Sequence, residues 1–400
     1  MGVESLIFQG LWGLISIVLV EILRDLYHVA SHGWEPLQRL HSWHHRAYKK
    51  DFTPVNGEIY RRSQLYNDAP EALFMLVSIG AIAFLTHHPA LWLGGLYATG
   101  FLLAALLRSQ GWLYASDLTH EPGPLTELPH PWRVNRTYHW RHHFDQTNAY
   151  YAGHFTITDK VMGTALSLKG KTVAVTGASG TLGRALIREL ARQGAKPIGL
   201  STSADTEIEG AVSVVSWQVG AEAKLADRLQ KVDILIINHG LNVHSDRTPT
   251  AIEKSLEVNA LSAWRLLEVF LSTVDDDTGR ATKEVWVNTS EAEVNPAFSP
   301  LYEVSKRLLG DLVNLRRTDA PCVIRKLVLG PFKSNLNPIG VMSADWVAGA
   351  IVALAKRDFR NIVVTINPLT YLLFPLKELG QTIYFKLFTK AQSPAPPSCR

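Results

Sequence analysis

The chain has 400 residues, 40 lysines and arginines against 36 acids, a net charge of +4, and two cysteines. That length accommodates two or three domains, and the mild charge gives no support to nucleic-acid binding, leaving an anionic membrane surface as the use for a basic loop. Cys322 and Cys399 provide no disulfide framework and too few thiolates for an iron–sulfur cluster, as expected of a reducing compartment.

Taken in chain order, Leu6 to Leu23 is nearly all apolar, interrupted by Gln9, Ser16 and Glu21. A bilayer span needs about 20 such residues. Met1–Ser5 lacks a basic residue and no small-residue cleavage motif follows, so this stretch reads as a span and not as a signal peptide. Ala72–Leu85 and Ala90–Leu107 form a second apolar pair, split by His87, His88 and Pro89. Ala72–Leu85 is short for a span and reads as half of a re-entrant hairpin unless it extends back over Ala69–Glu71. Arg24, Arg39, Arg46, Lys49, Lys50, Arg61 and Arg62 lie between the first two stretches, and Arg108 follows the third. The excess of positive charge in cytoplasmic loops predicts an integral membrane protein whose chemistry lies on the cytoplasmic side.

Eight histidines fall in three clusters: His28 and His32; His41, His44 and His45; His139, His142 and His143. Their spacings are HxxxH, HxxHH and HxxHH. Residues three and four apart share a helix face, so each cluster aims imidazoles at one point. Scattered solvated or core histidines would not repeat such a spacing. Imidazole suits iron, zinc, copper and nickel. Adjacent His44 and His45 point about 100° apart on a helix, fit to serve two metals or clamp a bridging ligand. His154 is a candidate for support behind the ligands, whereas His87, His88, His130 and His244 read as interfacial or solvated.

The pattern changes near Leu168. Thr172–Thr176 reads as a strand, Gly177, Gly180 and Gly183 as a glycine turn, and Arg184–Gln193 as a helix. Such a turn brings backbone close to a pyrophosphate at the helix N-terminus, making Ser179, Thr181 and Leu182 cofactor neighbours with the three glycines. Strands at Pro197–Ser201, Val232–Asn238 and Glu284–Asn288 alternate with helices, which predicts an α/β doubly wound parallel sheet. Ser201 and Thr202 end the second strand with no acid before Asp205, and an acid there would bind the ribose of NAD. NADP(H) is therefore expected, with NAD(H) as the alternative and no arginine evident to clamp the extra phosphate. Tyr302 and Lys306 sit one helical turn apart, and an ammonium beside a phenol lowers its pKa toward neutrality. Ser290 follows the preceding strand and is placed to bond a substrate oxygen. Pro368–Phe388 offers Leu369, Leu372, Leu373, Phe374, Leu376, Ile383, Phe385 and Phe388 as an apolar edge for a membrane surface, with an ordinary core helix as the alternative. Ser393–Arg400 reads as a disordered tail.

From about Leu168 to Phe332 these motifs resemble the short-chain dehydrogenase/reductase superfamily. The resemblance implies a Rossmann-like fold, cofactor contacts at Asn238, Gly240, Gly330, Pro331 and Phe332 as well as Tyr302 and Lys306, and a tetrad of Asn259, Ser290, Tyr302 and Lys306. The chain departs from the family in its TGxxGxxG spacing, in His239 where a second Asn is usual, and in a Ser290–Tyr302 gap one residue short, which leaves Thr289 as a rival for the serine role. Residues 12–164 resemble the fatty acid hydroxylase/sterol desaturase superfamily through the three histidine boxes. His120 ahead of Gly123-Pro124-Leu125, Asn148-Ala149-Tyr150 and the Thr158-Asp159 to Gly163-Thr164 segment match its remaining motifs. This implies an all-α membrane domain with two iron ions, O₂, a membrane lipid substrate and an external one-electron donor of ferredoxin or cytochrome type. The order of the halves resembles a bacterial bifunctional sterol desaturase/short-chain dehydrogenase family. The expected organisation is a membrane domain at 1–166, a dehydrogenase at 167–366, an apolar segment at 367–392 and a tail at 393–400. The expected function is O₂-dependent hydroxylation or desaturation of a membrane lipid, with NADP-dependent alcohol or carbonyl chemistry in the second domain. Two alternatives are a membrane-anchored reductase whose boxes hold a structural metal, and a hydroxylase with a non-catalytic NADP-sensing module.

Overall fold

A computed structural model describes residues 3–114, 117–203 and 206–390, with side chains from Leu6 onward. Asp205, Cys399 and the Ser393–Arg400 segment lie outside the described residues. The chain divides into two compact units, Met1–Leu166 and Ser167–Arg400.

The first unit is helical: Val3–Gly33 (α1), Glu35–Arg46 (α2), Gly57–Ser63 (α3), Ala69–Thr86 (α4), Trp92–Ser109 (α5), Arg136–Phe144 (α6) and Ile157–Met162 (α7). Three stretches, Leu6–Gly33, Gly57–Thr86 and Pro89–Ser109, are long and apolar enough to cross a membrane. The second is no half-hairpin. α3 continues through a π-helical turn, Gln64–Asp68, into α4, giving 30 residues without a break. Sequence hydropathy hides this because Gln64 and Asn67 are polar yet buried, Gln64 accepting a hydrogen bond from Arg108 Nε at 2.5 Å. Outward positions such as Leu73, Phe84, Leu85, Leu96 and Leu103 are exposed, the reverse of a water-soluble bundle. Trp12 packs on His88 at 5.2 Å between ring centroids. The turn between α4 and α5 therefore lies at the N-terminal part of α1, and the histidine boxes cluster at the other end of the three spans.

The second unit runs Thr172–Thr176 (β1), Thr181–Arg192 (α8), Lys196–Ser201 (β2), Ser213–Ser216 (β3), Ala226–Leu229 (α9), Ile234–Ile237 (β4), Pro249–Leu256 (α10), Ser262–Leu271 (α11), Asp277–Thr282 (α12), Glu284–Asn288 (β5), Pro300–Arg316 (α13), Val323–Leu329 (β6), Ala344–Lys356 (α14), Asn361–Val364 (β7) and Pro368–Phe388 (α15). Seven parallel strands stand in the order β3-β2-β1-β4-β5-β6-β7. β1 pairs with β2 on one side and β4 on the other, so chain direction across the sheet reverses there. A crevice opens at such a reversal, beyond the carboxyl ends of the strands. β4 is shorter than the apolar run Val232–Asn238, because Asn238 and His239 leave the ladder and donate their backbone N–H groups to Thr176 Oγ1 at 2.8 and 3.1 Å.

The helix α15 inverts the usual amphipathic pattern. Leu369, Leu372, Leu376, Leu379, Ile383 and Leu387 form an exposed stripe at helical spacing. Its polar groups turn inward: Lys326 Nζ, buried at the sheet, donates to Glu378 Oε1 at 2.7 Å and Glu293 Oε2 at 2.8 Å, and Lys377 joins Glu293 at 2.8 Å. Phe374 is fully buried beneath Lys326 and so does not belong to the outer apolar edge.

Candidate active sites: a histidine centre and a dehydrogenase crevice

All eight box histidines and His120 converge in the first unit. His28, His32, His41 and His142 form one group and His44, His120, His139 and His143 another, the candidate ligand atoms of each lying within 4.8 Å of one another. His45 sits between the groups, its ring 4.8 Å from both His142 and His143. This is the place the divergence of His44 and His45 predicts.

The groups around the imidazoles fix how they point. His28 Nδ1 donates to the Tyr151 carbonyl at 2.7 Å, His142 Nδ1 to the Ala149 carbonyl at 2.8 Å, and His41 Nδ1 to Asn67 Oδ1 at 2.8 Å. Each acceptor requires the proton on Nδ1, which leaves a lone pair on Nε2. Those lone pairs then face one another, His28 Nε2 lying 3.1 Å from His41 Nε2 and 3.0 Å from His142 Nε2, with no proton between them. A cation at their focus removes that repulsion, so the residues fit a metal. In the second group His120 Nδ1 is held by Asp117 Oδ2 at 2.7 Å, and His143 Nε2 lies 3.0 Å from His44 Nε2 and 3.1 Å from His139 Nε2. Burial, reinforced by neighbouring imidazoles, lowers the pKa values of His44, His139, His142 and His143. Burial lowers that of His41 to about 4, the Asn67 hydrogen bond opposing. All five stay neutral, the form that ligates.

Of the supporting residues, Asp159 stands in a motif segment noted in the sequence without a role, and Asn67 was not singled out. Asn67 lies on the π turn, a distortion frequent at functional sites, and its amide is oriented by donating to Asp68 at 2.8 Å. Asp159 accepts from the backbone of Tyr151 and Ala152 at 2.9 and 2.8 Å and from the Tyr138 and Thr164 hydroxyls. It thereby shapes the loop whose carbonyls hold His28 and His142. The family resemblance over Thr158–Thr164 was the available signal for Asp159; Asn67 had none. His154 lines the cavity beside the centre but is in neither group.

In the second unit Gly177 adopts φ +62°, and a Cβ there would stand 3.0 Å from His239 Cα. A Cβ on Gly183 would lie 2.2 Å from the Gly177 carbonyl. The turn accepts no side chain at either position, and Gly180 caps α8. Ser201 Oγ is 3.3 Å from Ser179 Oγ, joining the ends of β1 and β2. An arginine does reach this corner: Arg184 Nε donates to the Ser179 carbonyl at 3.0 Å and its NH1 to the Glu207 carbonyl at 3.1 Å. Sequence reasoning missed it because Arg184 lies on α8 and not after β2.

Across the crevice, Ser290 Oγ donates to the Leu329 carbonyl at 3.5 Å, accepts from the Ala292 N–H at 3.1 Å, and faces the Tyr302 phenol. Thr289 instead is fully buried, its hydroxyl aimed at the Leu327 carbonyl. Lys306 Nζ donates to the Asn288 carbonyl at 2.9 Å and lies 5.8 Å from the Tyr302 ring centroid. The phenol pKa is raised by burial, which outweighs the opposing influence of the Ser290 hydroxyl. This corrects the expectation that the ammonium lowers it. Burial also lowers Lys306 to about 8. Asn259 sits on a second π turn, Glu257–Leu261, and clamps Leu241 through its backbone N–H (2.8 Å) and carbonyl (2.9 Å). It thus fixes the Gly240 loop, while Asn288 Nδ2 bonds Asn238 Oδ1 at 2.9 Å. Gly330 donates its N–H to the Val364 carbonyl, and Phe332 bridges to Met342 in the segment that follows Pro331.

Comparison with known proteins agrees with this division. Residues 171–320 match the short chain dehydrogenase family. Two solved structures are similar to the second unit. An alcohol dehydrogenase from Thermococcus sibiricus complexed with 5-hydroxy-NADP has 21% identity and a TM-score of 0.43 over 50% of this chain and 96% of that one. A short chain dehydrogenase from Burkholderia cenocepacia in complex with NADP has 18% identity and a TM-score of 0.45 over 56% and 100%. The monoglucosyldiacylglycerol epimerase of Synechocystis sp. is 53% identical over 94% of this chain and 97% of its own. The chain belongs to the family of that epimerase, with a short-chain dehydrogenase as its second unit.

Proposed function

We propose that the chain inverts a hydroxyl-bearing carbon on the hexose headgroup of a membrane glycolipid, by oxidation to a ketone and reduction from the opposite face. The observation that carries this reading is the Ser290–Tyr302–Lys306 constellation in a chain related along nearly its whole length to a glucosyl-lipid epimerase. NADP(H), held between the glycine turn and Lys306, supplies the acceptor and donor of the hydride. Tyr302 takes the hydroxyl proton in the first half and returns it in the second. Ser290 bonds the sugar oxygen in each half, and between them the keto sugar releases, turns over and presents its other face to the nicotinamide. One hydride and one proton leave the sugar and both come back, so no net oxidant is consumed. Ser201, Ser179 and the Arg184 guanidinium support NADP over NAD. The three spans and the exposed apolar stripe of α15 support placement at a bilayer surface, where the headgroup is presented.

The test uses the full chain in vesicles containing monoglucosyldiacylglycerol, with NADP, and analyses the sugar released from the lipid. Wild-type protein yields an epimeric hexose, and Tyr302→Phe yields about 10²–10⁴-fold less. A glucose-only product from the active preparation refutes the reading.

A second reading concerns the first unit, and the convergent Nε2 lone pairs favour it. His28, His32, His41 and His142 would hold one iron ion, His44, His120, His139 and His143 a second, and His45 would serve both. Iron so held supplies O₂-dependent oxidation of a lipid, with electrons from an external ferredoxin-like or cytochrome-like donor. Metal analysis and lipid-dependent O₂ uptake test it: one zinc and no uptake would favour the structural-metal alternative.

A further inference from the structure

The cavity beside the histidine centre is the wrong shape of chemistry for an acyl chain. It holds about 640 Å³ and is reached by His28, His41, His44, His120 and His139. A site that takes a methylene chain is walled by apolar side chains. Here the apolar contribution from the spans is confined to Ala72, Met75 and Phe101. The other span residues on the wall are polar or charged. Arg24 of α1 donates to Glu71 of α4 at 2.7 Å, and Arg108 of α5 faces Asp68 at 3.6 Å. Toward the loops the wall mixes Asp117, Glu121 and Glu127 with the apolar Leu118 and Val134. Ionisable groups placed within spans are costly and mark a functional pathway.

Magnitudes of opposite sign decide the occupant. Methylenes laid against Arg24, Glu71, Arg108 and Asp68 would strip water from paired ions and return nothing. Hydroxyls replace that water with charge-assisted hydrogen bonds. We propose that this cavity receives the hydroxyl-rich headgroup of a lipid, so that the histidine centre faces a sugar and the acyl chains stay in the bilayer. Naming the headgroup as a hexose rests on the glycolipid reading above, whereas the preference for hydroxyls rests on the cavity wall alone.

Two photoreactive monoglucosyldiacylglycerols test this with the full chain in vesicles, one carrying a diazirine on the sugar and the other at the end of an acyl chain. The sugar probe is expected to label peptides containing residues 67–75 and 117–127, and octyl glucoside to compete. The acyl-end probe is expected to label outward residues such as Val77 and Leu103 instead. Glu71→Gln, with metal content checked as a measure of folding, lowers sugar labelling about tenfold through loss of a charged hydrogen-bond partner. Acyl-end labelling of 67–75 and 117–127, or sugar labelling confined to the second unit, overturns the proposal on wild-type protein alone. Tyr302→Phe leaves the labelling unchanged, so failure of the epimerase reading shows in product analysis and failure of the cavity assignment in the labelling map.

Discussion

The two sites are built on opposite principles. The histidine centre gathers neutral nitrogens whose protons point outward to carbonyls, leaving a focus of lone pairs. The dehydrogenase crevice gathers a phenol, a hydroxyl and a buried ammonium, groups that the proposed reaction would use to move a proton to and from a substrate. The first arrangement suits a cation at its focus. The second is worth having only if its groups titrate. One chain therefore carries a site governed by geometry and a site governed by proton affinity, and each breaks in its own way.

The largest expected effect is on the first. His142→Ala removes a nitrogen from the focus and should abolish metal binding, while leaving NADP binding by the second unit intact. Metal analysis with a parallel cofactor titration checks both. Asn67→Ala touches no metal but releases His41, and should weaken metal affinity by about 10–100-fold, as loss of an outer hydrogen-bond partner does elsewhere. Equal metal content in Asn67→Ala and wild type would mean that the π turn does not orient the centre.

What the sequence disclosed follows the same contrast. The boxes were legible because their ligands are local, three or four residues apart on α1, α2 and α6, where helix geometry converts spacing into direction. Their supports were not, since Asn67 is 26 residues from His41 and Asp159 acts through the backbone of a loop. In the dehydrogenase the alternation of strands and helices exposed β1, β2, β4 and β5, and the helix period placed Tyr302 over Lys306. The strands β3, β6 and β7 were not legible: β3 is half-exposed, and β6 carries the charged Arg325 and Lys326, whose burial against Glu284 and Glu293 the sequence does not show. Sequence could not show that burial raises the Tyr302 phenol, which depends on what packs around it. Nor could it show that α15 turns Lys377 and Glu378 inward and its leucines outward.

Smaller effects sharpen the second site. Arg184→Ala should weaken NADP binding about tenfold by removing one charged donor and leave NAD binding unchanged; titration with both cofactors reads the difference. Lys306 should give a pH dependence that the histidine centre lacks. Its folded pKa, about 8, lies below the unfolded value near 10.4, because burial disfavours the charge. The Lys306 ammonium is therefore lost as pH rises through about 8, and if it holds the cofactor as proposed, NADP affinity should fall between pH 7 and 9 by up to roughly tenfold. The sign for stability is opposite: the folded chain bears the cost of a buried charge at low pH and is relieved of it as pH rises from about 8 toward 10. Lys306→Met should flatten both profiles.

The most direct test follows the hydrogen on the inverted carbon. Monoglucosyldiacylglycerol deuterated throughout its sugar ring is given to the full chain in vesicles with NADP, and the product sugar is examined by NMR. Transfer of a hydride to the bound cofactor and back predicts an epimer that retains deuterium at the inverted carbon, with Tyr302→Phe almost inactive. Inversion with deuterium exchanged for solvent hydrogen, or undiminished in Tyr302→Phe, would contradict hydride chemistry at this site.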